Sequence, residues 1–366
     1  MTLILTVIAV ALIFEYINGF HDTANSIATV VSTKVLTPRQ AVILAAVTNL
    51  FGAMWGTAVA KTITSGLVDS KAVAMTSDII ICALVGAIIW NLITWWSGLP
   101  SSSSHALIGG LCGSALAAAH NNWGVIIWAQ PSSVHWYLGK GLLCKVIVPM
   151  FTSPLMGFVL GFILMGLLYF FLRKQRPTKV NNFFGKAQIF SAGVMGFMHG
   201  TNDAQKTMGI IALALLAGTK AGHLDNLPGF LSFLHTPEPP AGKDMEIATW
   251  IKVTCALTMA AGTAVGGWRI IRTLGHKMVK LHPINGFAAE ASSATVIALA
   301  SHLGIPVSTT HNISAAIMGV GSAKRFNAIK WVVVERMVWA WLFTIPVAGG
   351  IAYVLVLFMQ QAGWVP

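Results

Sequence analysis

Apolar stretches of roughly 18 residues or more recur from one end of the chain to the other, each long enough to cross a hydrocarbon core of about 30 Å. About ten can be drawn, at 1–31, 40–60, 78–97, 100–119, 140–172, 187–217, 247–268, 284–303, 305–322 and 337–360. A backbone in lipid must satisfy its own hydrogen bonds, so the pattern predicts helices throughout and an all-α polytopic membrane protein. The first stretch carries Glu15 with no Lys or Arg before it, unlike a cleaved leader, and is kept as a span. The paired stretches 78–97/100–119 and 284–303/305–322 can be full crossings or re-entrant hairpins; either way both ends of a pair emerge on one side.

Composition sharpens the picture. Of 366 residues 55% are hydrophobic and 9% charged, against about 25% charged in a soluble domain. The net charge of +12 does not indicate a nucleic-acid partner, because the basic residues sit in short loops between apolar runs. Loops 32–39, 173–186, 269–280 and 323–336 concentrate them, from Lys34 and Arg39 to Lys330 and Arg336. They are expected to face the cytoplasm. Loops 61–77, 120–139 and 218–246 hold Lys61, Lys71, Lys220 and Lys243 together with Asp69, Asp225, Glu238, Asp244 and Glu246, and are expected outside with both termini. Stretch 219–245, with its Pro237–Pro240 run, reads as an exposed connection. Cys82, Cys112, Cys144 and Cys255 lie singly in apolar segments, as packed thiols do. Tryptophans such as Trp95, Trp96, Trp123, Trp128, Trp136 and Trp268 sit near segment ends, as interfacial anchors do.

Two motifs occur twice, in the same order. Gly19-Phe-His-Asp-Thr-Ala-Asn25 is echoed by Gly200-Thr-Asn-Asp-Ala-Gln-Lys206, and Pro100-Ser-Ser-Ser-Ser-His105 by Pro306-Val-Ser-Thr-Thr-His311. With an odd number of segments in each half, the copies cross in opposite directions. The expectation is an inverted-topology internal repeat, with broken helices or re-entrant hairpins around a mid-membrane site: repeats at 1–172 and 187–366, a cytoplasmic linker at 173–186 and an external loop at 218–246.

Asp22 and Asp203 fall well inside apolar segments, where a carboxylate costs at least about 2.5 kcal/mol unless paired, protonated or bound to a cation. An ion pair with a neighbour such as Lys206 is the plain alternative to a functional role, and Gly19, Gly200, Asn25 and Asn202 suggest a helix broken beside each acid. Ser102, Ser103 and Ser104, like Ser308, Thr309 and Thr310, follow a proline and read as helix starts, whose free amides and hydroxyls suit an anion. Ordinary capping would explain either run alone; two at matching positions suggest ends converging on one tetrahedral oxyanion, with the acids holding its cationic companions. His21, His199, His105 and His311 place titratable rings near the same path, each as readily a packed neutral imidazole as a proton relay, and Glu15 and Glu290, also within apolar segments, are candidate coupling acids.

At these residues the chain resembles the PiT family of inorganic phosphate transporters, whose duplicated G-x-N-D-x-A-N signature is visible at 19–25 and 200–206. Glu15 to Val30, His199–Lys206 and Pro306–His311 look closest to the bacterial low-affinity Pit branch. The resemblance implies a secondary active symporter that imports inorganic phosphate across the cell inner membrane, driven by protons, with phosphate often carried as a neutral complex with Mg2+ or another divalent metal. It departs from the signature at His21, which replaces Asn, and at Gln205-Lys206, which replace Ala-Asn. Sodium-coupled relatives use those amides near their cation sites, so the departures favour protons over sodium.

The resulting expectation has phosphate held by Asn25, Ser102, Ser103, Ser104, Lys206, Ser308, Thr309 and Thr310, and coupling by Asp22, Asp203, Asn202 and His21, with Asp22 and Asp203 as ligands if a metal is co-transported. No resident cofactor is expected; a homodimer is admitted. The alternatives are a sodium-coupled phosphate symporter and a permease for sulfate or another oxyanion. A membrane hydrolase lacks a nucleophile motif here, and a passive channel has no need of two buried acids with a lysine in one copy.

Overall fold

The computed structural model describes residues 2–69, 72–130, 139–225, 227–237 and 246–363. Lys71, Trp136, Glu238, Lys243, Asp244 and 238–240 of the proline run lie outside the described residues. The described chain is nearly all helical, with no strand and two isolated bridges, Val68 with Ile126 and Gln130 with Lys140. In order, α1 is Thr2–Ser32, α2 Pro38–Ala53, α3 Ala58–Ser65, α4 Ser77–Ser97, α5 Ser103–Ala118, α6 Val148–Leu172 and α7 Pro177–Lys220. Then α8 is Thr249–Val265, α9 Trp268–Arg272, α10 Pro283–His302, α11 Thr309–Ser322 and α12 Trp331–Gln361. A π-helical turn, Leu143–Ile147, leads into α6, and another, Thr273–Lys277, extends α9.

Every expected segment finds a helix. Four are long and apolar enough to cross a membrane by themselves: Thr2–Ser32, Ser77–Ser97, Leu143–Leu172 and Trp331–Gln361. α2 and α3 together meet the same test, bent by 69° at the break between them. The remainder are shorter or more polar because they line the interior, where neighbouring helices replace lipid.

Three expectations are corrected. The loop at 269–280 is largely helical, with Ile270, Ile271, Leu274 and Met278 buried, so its cations mark one surface of a packed element. The linker at 173–186 is helical from Pro177. No helix breaks at the acids: α1 and α7 run unbroken through both motifs. Gly19 and Gly200 serve close approach instead, since a Cβ on Gly19 would strike the carbonyl of Met259 on α8 and one on Gly200 that of Asn49 on α2.

The breaks lie elsewhere, and they are cut by local chemistry. α4 ends at Gly98 with φ 64° and α10 is followed by Gly304 with φ 62°, a left-handed conformation that glycine adopts without a Cβ penalty. Pro100 and Pro306 follow, and then Ser102 and Ser308 cap α5 and α11 by accepting the amides of His105 and His311 at 3.2 and 3.1 Å. Two helical hairpins result, α4–α5 and α10–α11. Pro100 and Pro306 are buried, and the tips are pinned from outside: Trp341 Nε1 on α12 donates to Pro100 O at 3.0 Å, and Lys145 Nζ donates to Leu303 O at 3.1 Å.

α1 and α7 lie against each other antiparallel: Glu15 meets Thr207 at one end, and Thr29 and Ser191 meet the same Glu290 carboxylate at the other. Apolar packing brackets the middle of both helices. One core gathers the start of α1 with the end of α7 around Ile4, Phe14, Met208 and Leu215; the second gathers Ala24–Val30 with Phe184–Met195 around α10 and α11. Between the two lies a layer of buried polar side chains.

Glycine sets how near the hairpins sit to their supports. A Cβ on Gly113 of α5 would meet the backbone of Gly349 on α12, whereas one on Gly350 would meet nothing within 4 Å. Gly113→Val is expected to cost about 1–3 kcal/mol from overpacking and to lower the thermal midpoint of the detergent-solubilised protein. Gly350→Val, on the same helix, is expected to leave that midpoint in place.

Candidate functional site

The polar layer is built from the two motif helices and the two hairpin starts. On α1, Glu15, Asn18, Asp22, Asn25 and Thr29 recur at three- and four-residue intervals and share one face. On α7, Gln188 and Ser191 are three apart, His199, Asp203 and Lys206 follow at four- and three-residue intervals, and about two turns separate the two groups. The centre is Asp203, fully buried, whose Oδ1 accepts from the Lys206 ammonium. Lys206 also donates to Ser104 Oγ in the first turn of α5 and, at 3.1 Å, to Val307 O just before α11. One lysine thus ties an acid on α7 to the starts of both hairpin helices.

The second carboxylate closes the ring. Thr309 Oγ1 donates to Asp203 Oδ2 at 2.8 Å and Thr310 Oγ1 to Asp22 Oδ1 at 3.2 Å. Asn25 Nδ2 donates to both threonine hydroxyls, at 3.1 and 2.9 Å. His199 Nε2 lies 2.9 Å from Asp203 Oδ2, while its Nδ1 is 3.1 Å from Asn49 Oδ1 on α2. Asp22, His199 and Asp203 each bring a ligand atom within 4.8 Å of the others, a trio that could hold one cation. Two carboxylates here face one ammonium, a set whose geometry suits one further positive charge.

Of the residues expected from sequence, Asp22, Asn25, Ser104, Asp203, Lys206, Thr309 and Thr310 share this network. His21 joins its edge: Nδ1 is 2.8 Å from Asp22 Oδ1, and Nε2 is 3.2 Å from Thr94 Oγ1 beside Ser101. Ser102 and Ser308 are engaged as caps, the ordinary role weighed above, and keep a hydroxyl proton to give. Ser103 Oγ is buried with no hydrogen-bond partner among the described residues. Asn202 stands apart from the acids and donates to Ser301 Oγ at 2.9 Å, steadying the second hairpin.

The fold gives several further residues roles that their place in the sequence does not specify. His199 was noted only as a neighbour of the motif, although its four-residue spacing from Asp203 is a helical contact. Gln205 works at the break between α2 and α3, its Oε1 accepting Val59 N at 2.8 Å and its Nε2 donating to Trp55 O at 3.3 Å. Glu290 is held by Thr29, Ser191 and, at 3.2 Å, Gln188. Trp341 is no interfacial anchor: it is buried and stacked on His311 at 4.3 Å between ring centres, with His105 edge-on to His311 at 4.9 Å. Trp96, Trp123, Trp128 and Trp268 are exposed, whereas Trp95 is partly buried.

A family description of phosphate transporters matches residues 18–352, which spans both motif copies and both hairpins. The chain belongs to the phosphate transporter family. A "Probable low-affinity inorganic phosphate transporter" of Bacillus subtilis (strain 168) is 44% identical over 96% of this chain and 97% of its own length. Its namesake in Rhizobium meliloti (strain 1021) is 42% identical over 94% and 93%, and that of Mycobacterium tuberculosis (strain ATCC 25618 / H37Rv) 42% over 95% and 75%. Among solved structures, "The sodium-dependent phosphate transporter" superposes with a TM-score of 0.75 over 99% of this chain and 100% of that one at 23% identity, a likeness of fold. The family and these relatives are transporters, not enzymes.

Lys206→Met leaves the Asp203 carboxylate of this transporter buried without its ammonium, which is expected to destabilise the fold by about 3–5 kcal/mol. Adding Asp203→Asn is expected to recover most of that loss. The thermal midpoints of the single and double variants measure the coupling.

Proposed function

We propose that the chain is a proton-driven symporter that imports inorganic phosphate across the cell inner membrane. What carries the reading is the place of Lys206, an ammonium at the starts of both hairpin helices in a family of phosphate transporters. Phosphate would sit at these two N-termini, taking donors from Lys206, Ser103, Ser104, Thr309, Thr310 and Asn25, with the amides of the first turns of α5 and α11 adding theirs. Ser102 and Ser308 would hold the helix ends in place, and Asn202 the second hairpin.

An anion that takes Lys206 loosens its grip on Asp203, so Asp22 and Asp203 need another positive charge at that moment. A proton supplies it, or a divalent metal travelling with phosphate on Asp22, Asp203 and His199. Coupling of this kind needs no resident cofactor. Sodium is the second reading, favoured by the name of the solved structure of like fold; Lys206, standing where the first copy has Asn25, argues for protons.

The element order supports an inverted repeat of 1–172 and 187–366. A long motif helix, two helices parted by a short break, a hairpin and a second long helix occur in each half, and α1 runs antiparallel to α7. Packing is reciprocal, with α5 against α12 of the other half and α11 against α6. Rocking of the hairpins with their supports would open the site to alternate sides. The basic faces around 32–39, 173–186, 269–280 and 323–336 then lie inside and the termini outside.

Labelled phosphate uptake into proteoliposomes tests this, under an imposed proton or sodium gradient, with wild type beside Asp203→Asn. Accumulation on the proton gradient, absent in the variant and resistant to excess sulfate, is expected. Accumulation on sodium alone would replace the coupling ion, and uptake suppressed by sulfate would replace the substrate by oxyanions at large.

A further inference from the structure

The polar layer contains an acid that the central cluster does not use. Glu15 lies on α1 two turns before Asp22, fully buried. Its Oε2 accepts from the Thr207 hydroxyl, and Oε1 has no hydrogen-bond partner among the described residues. None of the ion pairs among the described residues includes it. Glu290, the other isolated acid, is held by three donors, from Thr29, Ser191 and Gln188.

The Thr207 hydroxyl suits a group that changes charge. A threonine hydroxyl donates to a carboxylate and accepts from a carboxylic acid, so rotation of one O–H serves both states without moving a heavy atom. The place is equally telling. Thr207 directly follows Lys206, and the Glu15 carboxyl lies within electrostatic reach of Asp203 and Lys206 on α7; the Cys255 thiol faces it from α8, and Asn18 adjoins it on α1. Counting Glu15, three carboxylates surround one ammonium. A phosphate dianion entering beside Lys206 adds to that negative excess, and one proton on Glu15 removes a unit of it without occupying a phosphate donor.

We propose that Glu15 carries the coupling proton: it takes one from water on the side of higher proton activity when phosphate occupies Lys206, and releases it to water on the other side as the site empties. The proposal rests on the reading of the chain as a proton-coupled phosphate carrier. No bond in phosphate is made or broken.

Proteoliposomes with wild type, Glu15→Gln and Glu15→Asp test it through two readouts: phosphate–phosphate exchange at equal concentration on both sides, and accumulation under an imposed pH gradient. The amide mimics the protonated acid, so Glu15→Gln is expected to exchange phosphate within about twofold of wild type, with a flattened dependence on pH and no accumulation above equilibration. Glu15→Asp is expected to keep accumulation. A Gln variant that accumulates like wild type would overturn the proposal, and so would one that loses exchange as well, which would place Glu15 in the architecture of the site. Wild type that fails to exchange phosphate, or accumulates it on sodium alone, would overturn the underlying reading, and the proposal with it.

Discussion

The ammonium of Lys206, buried among helices whose outer faces are apolar, needs an answer from every side, and the site takes its shape from the groups that answer. Asp203 supplies the counter-charge, Ser104 and the carbonyl of Val307 take the remaining donors, and Thr309 turns its hydroxyl to the other oxygen of the same carboxylate. A charge pair removed from water contributes stability only when its remaining hydrogen bonds are met. Meeting them here draws together α5, α7 and the entry to α11, elements more than a hundred residues apart in the chain. The ion pair is thus a clamp on the two hairpins as well as a charge at their tips. An anion arriving there competes for the group that holds the clamp shut.

Such a layer can persist because apolar packing isolates it from above and below. The two cores lie at opposite ends of α1 and α7, so the polar side chains between them are enclosed by protein rather than by lipid. Close backbone contacts seal the layer laterally, at Gly19 against α8, Gly200 against α2 and Gly113 against α12. The hairpin helices are kept short by a left-handed glycine and a proline before each cap, which puts their N-termini at the depth of the acids. Both tips are also fastened to a long helix distant in sequence, through Trp341 and Lys145.

The two motif copies do not perform the same work. His21 leans on Thr94 and Ser101 of the first hairpin while its counterpart Asn202 leans on Ser301 of the second, so this pair of positions orients hairpins in both halves. Asn25 and Lys206 diverge in chemistry: the amide bridges two threonines, and the ammonium bridges an acid and a serine. Gln205, which the family signature has as Ala, leaves the site altogether and caps the start of α3 at a sharp bend. The asymmetry puts a fixed positive charge on one side only.

Much of this was legible before any coordinates. Hydropathy marked the chain as a helical membrane protein, since apolar runs this long close their own hydrogen bonds in lipid as helices, and the duplicated motifs pointed to acids, hydroxyls and a lysine that the fold brings into one buried network. The proline-led hydroxyl runs marked the starts of α5 and α11, because capping is a local matter of a few residues. What sequence could not decide is anything that depends on which helix faces which. Continuous helices through the acids, in place of broken ones, follow from close approach of α8 and α2 at Gly19 and Gly200, a contact of residues far apart in the chain. Tertiary packing likewise placed His199 in the acid cluster, gave Lys206 its bonds to both hairpins, turned Trp341 inward onto His311, and set Glu15 against the Thr207 hydroxyl. Each of these depends on the meeting of distant segments, and the free energy of a buried charge is set by its neighbours in space rather than in sequence.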